Sequence, residues 1–71
     1  MKLSEVNKKC SLRILEIVDA NYDSRLADYG FIVGEAIEIV SLSKGMMMVR
    51  VLNSLYAINL EMAEIILVEK V

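Results

Sequence analysis

Hydrophobic and polar residues alternate with a period of two along much of the chain, and this pattern predicts short β-strands. In the first predicted strand, residues 10–18, the apolar Leu12 and Ile14 are separated by polar side chains. The alternation shifts phase at Leu15, which either a β-bulge at that point or burial of the strand on both faces would explain. Bulges are common where a strand bends to close a barrel, so a bulge here would indicate a curved sheet.

Four further strands are predicted in the second half of the chain, with tight connections between them. Their predicted ranges are 36–42, 47–52, 55–59 and 65–68. Ser43-Lys44-Gly45 reads as a hairpin loop, and Asn53-Ser54 reads as a two-residue break. Residues 60–63 are predicted to form a helical turn before the last strand. Short, closely spaced strands of this kind are typical of a small barrel.

Two helical segments are predicted in the first half of the chain. Residues 3–6 form a single turn, capped by Ser4, with Leu3 and Val6 directed inward. A short helix of about residues 24–29 follows the first strand.

The ends of that short helix are predicted from its flanking residues. Asp23 or Ser24 can cap its start by accepting bonds from free amide groups. Gly30 is placed for a left-handed C-cap, after which Phe31 and Ile32 fold back onto the helix. Gly34 and Gly45 are further structural turns.

The length of 71 residues fits one domain, residues 1–71, with a thin core. Disulfides or metals stabilise many domains of this size. Here Cys10 is the only cysteine and there is no histidine, so neither an internal disulfide nor a Cys/His zinc site can form. The apolar content of 56% is high. Self-association or docking to a larger partner is therefore expected.

Charge and hydropathy bear on partners and location. The net charge of −2 argues against nucleic acid, and the small basic cluster of Lys8, Lys9 and Arg13 reads as a solvated strand entry. No apolar run approaches the roughly 18 residues of a membrane span, so direct membrane insertion is not expected. The first residues lack the apolar segment of a signal peptide. A lone cysteine and no export signal favour the cytoplasm.

The residues that usually carry enzyme chemistry do not form a recognisable set. General acid–base catalysis needs paired groups that converge on a pocket, whereas the ten carboxylates lie mainly at predicted turns and outer faces. Cys10 lacks a recognisable activating partner. We therefore predict that the protein is not an enzyme.

No dedicated metal or cofactor site is predicted either. Asp19, Asp23 and Asp28 cluster around the short helix, but helix capping and a solvated face explain them. Three of the five methionines are consecutive, at residues 46–48, so in a strand they point to alternating faces and cannot converge on a soft metal. Direct binding of Fe²⁺ is therefore not expected.

Two surfaces are candidates for partner contact. If Met47, Val49 and Val51 face the core, then the outward positions of that strand are unusually apolar. The candidate contact residues of this first surface are Met46, Met48, Leu52, Leu55 and Leu67. The second candidate surface is the short helix and its exit, where Arg25, Asp28 and Tyr29 are not needed for packing. Isolated surface apolar residues also occur without function.

One segment resembles the central signature of the FeoA family (ferrous iron transport protein A). It covers residues 25–34, Arg25-Leu26-Ala27-Asp28-Tyr29-Gly30-Phe31-Ile32-Val33-Gly34. That signature is a helical turn bearing leucine, a glycine, a bulky apolar residue, two variable residues and a second glycine. Similarity extends to the first strand at 11–17, to the strand at 35–40, and to a closing segment with Tyr56-Ala57-Ile58, Glu61, Ala63 and Val68-Glu69. The family often has glycine at the position of Asn53.

The resemblance implies a mainly β fold: a small SH3-like β-barrel of about five strands, with one short α-helix between the first two strands and a helical turn before the last. It implies a cytoplasmic accessory role in ferrous iron uptake, exerted through the membrane GTPase-transporter FeoB, which would hold the protein at the inner face of the membrane. One alternative is an interaction or regulatory domain like the C-terminal domain of metal-dependent repressors. Another is a small RNA-binding barrel.

Overall fold

Five antiparallel β-strands form one sheet in the order β4-β3-β2-β1-β5. A computed structural model describes residues 1–19 and 25–71. The strands are β1 (Ser11–Ile17), β2 (Ala36–Ser43), β3 (Met46–Val51), β4 (Ser54–Asn59) and β5 (Ile66–Lys70). The helical elements are a 3₁₀ turn (Leu3–Glu5), a helix α1 whose described part covers 25–28, and α2 (Leu60–Glu64). The mainly β fold with small helical segments confirms the predicted SH3-like class.

The predicted strand boundaries need one substantive correction, at the connection between β3 and β4. The two-residue turn is Leu52-Asn53, not Asn53-Ser54, and Ser54 is the first residue of β4. Both turn residues have positive φ, 49° for Leu52 and 67° for Asn53. A type I′ hairpin turn requires positive φ at both of its central residues. This turn type is common in two-residue hairpins because its backbone twist matches the right-handed twist of the strands.

Of the two explanations for the phase shift in β1, the bulge is confirmed, since the register with β5 shifts between Ile14 and Glu16. A second shift, between Ile39 and Ser41 of β2, was not predicted. Bulges increase the local twist and bend a strand, so the two together coil the sheet around its apolar face.

The sheet is not closed, because β4 and β5 lie at its two ends and do not pair with each other. The helix α2 runs between them and contacts both strands and the N-terminal 3₁₀ turn. Asn59 caps α2 by accepting a hydrogen bond from the backbone N–H of Met62 at 2.9 Å. A capped helical turn thus occupies the position where a fifth pairing, between β4 and β5, would complete a barrel.

One apolar cluster fills the interior, and it takes residues from every described element. Leu12 and Ile14 of β1 and Ile37 and Ile39 of β2 are buried, as their alternation predicts. The described residues include no buried polar or charged side chain. Among these residues, no buried side chain therefore needs a hydrogen-bond partner.

The N-terminal turn buries Leu3 and Val6 as predicted, but Ser4 is not its cap. The Ser4 hydroxyl instead donates to Glu64 Oε2 of α2 at 3.1 Å. The Lys2 backbone N–H donates to Glu5 Oε1 at 2.7 Å, so Lys2 starts the turn.

Helix α1 ends as the glycine pattern predicts, with Gly30 at φ 99°. The Phe31 N–H donates to the Leu26 carbonyl at 2.9 Å and the Gly30 N–H to the Ala27 carbonyl at 3.0 Å. This pair of bonds is a Schellman motif, and its usual apolar contact joins Phe31 to Leu26. Ile32 is exposed, so its predicted packing on the helix is wrong. The predicted caps Asp23 and Ser24 lie outside the described residues.

Candidate interaction surface

The outer face of β3 is apolar at the positions that a solvated strand would fill with charge. Met47, Val49 and Val51 point into the core and are buried, which leaves Met46, Met48 and Arg50 on the outside. Met46 is exposed and Met48 is half-buried. Leu52 follows directly after the strand and is 60% exposed.

Strand register gives these methionines small neighbours. Met48 lies opposite Ala57 of β4 and Ser41 of β2. Met46 lies opposite Asn59 and Ser43. Short side chains therefore flank both methionines, and a flexible Met adapts to an irregular partner surface.

Leu55 extends this apolar face on β4, where it lies opposite Arg50 and is 53% exposed. Met46, Met48 and Leu55 therefore share the outer face of the β3–β4 hairpin, and Leu52 lies at its turn. We call these four residues the hairpin face, and Arg50 lies among them on β3. Leu67 does not belong to it. It is half-buried on β5, opposite Glu16 of β1, and so lies at the other end of the sheet.

Leu52 has a positive φ, a backbone conformation that residues other than glycine, Asn and Asp rarely adopt. Its side chain lies against Gly30 at the end of α1: a Cβ on Gly30 would be 2.9 Å from Leu52 Cδ1. The turn is therefore held against the helix exit. Beside it, an open groove of about 430 Å³ runs along Ala36, Glu38 and Arg50.

The second candidate surface borders the hairpin face. Tyr29 is exposed at the end of α1, and its ring centroid is 5.5 Å from that of Tyr56 in β4. Tyr56 is also 5.5 Å from the buried Phe31. Arg25 and Asp28 are exposed on the same helix. The sequence does not predict Tyr56 as a site residue, because its inward position in the strand pattern indicates core, whereas it is half-buried and its ring lies beside Tyr29 of the second surface.

An ion pair lies among the residues of the hairpin face, with Arg50 Nη1 2.7 Å from Glu38 Oε1. Both side chains are about half exposed, and exposed pairs contribute little. We expect Arg50→Ala to lower the free energy of unfolding by less than about 1 kcal/mol, with the difference shrinking further in high salt. Urea denaturation at two salt concentrations measures this. A loss above about 2 kcal/mol would mean that the Arg50 stem packs more than its exposure indicates.

Within residues 1–19 and 25–71, no three Cys, Asp or Glu side chains lie close enough together to hold a metal ion. Met47 points inward while Met46 and Met48 point outward, so the three thioethers do not converge. Asp23, one of the three aspartates named from the sequence, lies outside the described residues. Cys10 is half-buried beside the core.

No helix in the described part of the chain has the length and apolar character needed to cross a lipid bilayer.

The fold and the hairpin face define a small SH3-like β domain with an accessible apolar surface. The family model of the FeoA domain matches residues 1–70. The chain therefore belongs to the FeoA domain family. That membership supports a role in ferrous iron uptake.

Solved structures of similar fold agree with this assignment. The FeoA protein from Chlorobium tepidum is 22% identical, with a TM-score of 0.87 over 100% of this chain and 70% of its own. A protein described as iron uptake regulatory protein (FeoA) is 24% identical, with a TM-score of 0.88 over 100% of this chain and 96% of its own. No curated protein sequence is significantly similar to the chain.

The cadmium-bound ScaR structure is also similar, with 19% identity and a TM-score of 0.90 over 99% of this chain but only 35% of its own. At that identity the likeness shows a shared fold and nothing about activity. The same small β domain thus also occurs as a minor part of a longer chain.

Proposed function

We propose that this domain is a cytoplasmic accessory protein of ferrous iron uptake that binds the membrane GTPase-transporter FeoB through the hairpin face. The single observation that carries the proposal is the exposure of Leu52 and Leu55 beside the exposed Met46 and the half-buried Met48. Clustered exposed apolar side chains usually mark an interface. FeoA family membership supplies the context of iron uptake.

The conformation of Leu52 supports the same surface. A leucine at φ 49° is held in a sparsely populated region, at a position where glycine or Asn would be relaxed. Its side chain is 60% exposed, so the free energy gained by its partial burial offsets only part of the strain energy. The hairpin pairing fixes Leu52 in this turn, and its exposed apolar side chain is available for contact with a partner.

The proposed mechanism is binding, without catalysis and without iron held by this domain. Iron is the cargo of the transporter, and the domain acts on the transporter's protein surface. Apolar contacts at Met48, Leu52 and Leu55 supply binding free energy, while the Glu38–Arg50 pair among them orients the complex. Attachment to FeoB places the domain at the inner face of the membrane.

A regulatory interaction domain is the second candidate, favoured by the fold shared with part of ScaR. In that case the occupant of the hairpin face would be a segment of a regulator and not the transporter. The RNA-binding alternative has less support, since the chain carries a net charge of −2.

We expect the double variant Met48→Glu with Leu52→Glu to weaken FeoB binding at least about tenfold, equivalent to about 1.4 kcal/mol. Two carboxylates would have to be desolvated in the interface without partners. Titration of labelled domain against purified FeoB in detergent or nanodiscs measures the dissociation constant. The substitutions lie outside the core, so the circular dichroism spectrum should remain unchanged.

Leu15→Glu is the matched control, because Leu15 is an exposed leucine on the β1 bulge, outside the hairpin face. Its dissociation constant should stay within about twofold of the wild-type value. Equal weakening by Leu15→Glu and by the double variant would overturn the hairpin face as the site. Absence of wild-type binding to FeoB would overturn the partner.

A further inference from the structure

The two edge strands of the sheet, β5 and β4, differ in whether their outer backbone groups are covered. The outer edge of β5 is covered by the first residues of the chain: the Met1 amine donates to the Val68 carbonyl at 3.0 Å, and the Val68 N–H donates to the Met1 carbonyl at 2.7 Å. Lys2 bridges to Leu67. The strand also carries Glu69 and Lys70, and charges discourage edge-to-edge pairing.

The edge of β4 has its hydrogen-bonding groups turned outward. The two-residue turn at Leu52-Asn53 makes Val51 and Ser54 a hydrogen-bonded pair, and bonded pairs alternate along an antiparallel ladder. Tyr56 and Ile58 therefore bond to β3. Leu55 and Ala57 direct their N–H and C=O groups away from it, and no backbone group among residues 1–19 and 25–71 pairs with them.

Strand β4 also lacks the usual protection of an exposed edge. Its sequence, Ser-Leu-Tyr-Ala-Ile-Asn, contains no charged residue and no proline. Its register with β3 is continuous from Ser54 to Asn59, with no bulge. Natural edge strands normally carry one of these devices, because an unprotected edge is a template for another strand.

We propose that β4 pairs with β4 of a second copy of this chain, antiparallel about a two-fold axis, so that two sheets join into one of ten strands. Residues whose backbone groups point outward become the bonded pairs of the new ladder. With the axis at Ala57, Ala57 faces its own copy and Leu55 faces Asn59 of the second copy. The smallest side chain lies on the axis, where two identical side chains must fit together.

A second copy suits this edge because the contact is self-complementary. An uncharged strand facing itself brings no like charges together. A two-fold axis also satisfies both edges at once, which leaves no free β4 edge for further growth.

The size of the contact sets its strength. Six residues a side is far fewer than the 20–30 residues a side of a standard interface. The dimer is therefore reversible, and the fraction of chains in the dimer rises with protein concentration. Edge pairing leaves the outward Met46, Met48 and Leu55 side chains accessible in both copies, so this inference is independent of FeoB binding.

Sedimentation velocity of the wild-type chain from about 10 µM to about 1 mM tests the proposal, a range that brackets weak dissociation constants. We expect the weight-average mass to rise toward that of a dimer. The variant Ala57→Pro should raise the dissociation constant at least about tenfold. The Ala57 N–H points away from β3, so proline removes a bond of the new ladder and none of the existing one.

Two lysine variants keep the test decisive if proline disturbs folding. Ala57→Lys places like charges on the axis and should also give a monomer, whereas Ala27→Lys, the same change on exposed α1, should dimerise as the wild type does. Concentration-dependent protection of the Leu55 and Ala57 amides from exchange is the second expected result. A wild-type monomer at all concentrations would overturn the proposal. So would a dimer that persists in both Ala57 variants, or protection of these amides by FeoB alone.

Discussion

Phe31→Ala is expected to lower the free energy of unfolding by about 3–5 kcal/mol, the usual effect of removing a buried aromatic side chain. Phe31 is 1% exposed and is among the largest fully buried side chains of the described residues. It packs on Leu26 at the end of α1 and on Tyr56 of β4, 5.5 Å between ring centroids. The free energy of unfolding of a small domain is about 5–15 kcal/mol in total, so a large part of the stability depends on this ring. Urea denaturation followed by circular dichroism measures the loss.

Tyr29→Ala is the matched control for this substitution. Tyr29 also lies 5.5 Å from Tyr56, but its side chain is exposed. We expect a loss of no more than about 1 kcal/mol, the size of an aromatic pair without burial. Equal losses for Phe31→Ala and Tyr29→Ala would contradict the assignment of Phe31 as the apolar anchor between α1 and the sheet.

Gly30→Ala is expected to lower the free energy of unfolding by about 1–3 kcal/mol. The φ of 99° is one that L side chains rarely adopt. In addition, the new Cβ would be 2.9 Å from Leu52 Cδ1 and 3.2 Å from Val51 Cγ1. The Leu52 side chain can rotate away, but Val51 is buried and held by its neighbours. The change in unfolding midpoint, by heat or urea, measures the combined effect.

Gly34→Ala separates the two causes of this loss. Gly34 has a similar φ of 95°, but nothing lies within 4 Å of its Cβ position. It should show the backbone strain alone and therefore the smaller loss. Adding Leu52→Ala to Gly30→Ala should recover part of the difference, because the nearest contact is removed. If Gly30→Ala and Gly34→Ala were equally destabilising, the close approach of Leu52 would contribute nothing.

The strand pattern was predictable wherever one face of a strand meets the core. Leu12, Ile14 and Met47 are buried where the alternation predicts, because side chains on a strand alternate between faces whatever the partner strand is. Gly30 was placed as a left-handed helix end from its position after an apolar helical turn, and its φ of 99° confirms this. Both features depend on residues only a few positions apart.

The turn between β3 and β4 was mispredicted for a physical reason. Asn53 tolerates positive φ, so the sequence placed the break at Asn53-Ser54. Leucine is disfavoured at positive φ, yet Leu52 takes φ 49° because the pairing of Val51 with Ser54 fixes where the turn falls. Ladder bonds along the whole hairpin outweighed the local preference of one residue.

The sequence by itself determined the class of fold, the family resemblance, and which side chains of β3 face outward. Only the tertiary structure decided which exposed side chains lie near one another. It placed Leu52 against Gly30 and Tyr56 between Tyr29 and Phe31, and it put Leu67 at the opposite end of the sheet. It also decided that β5 is covered and β4 is not. Strand order and edge exposure depend on pairing between residues far apart along the chain, which the period of a local pattern does not encode.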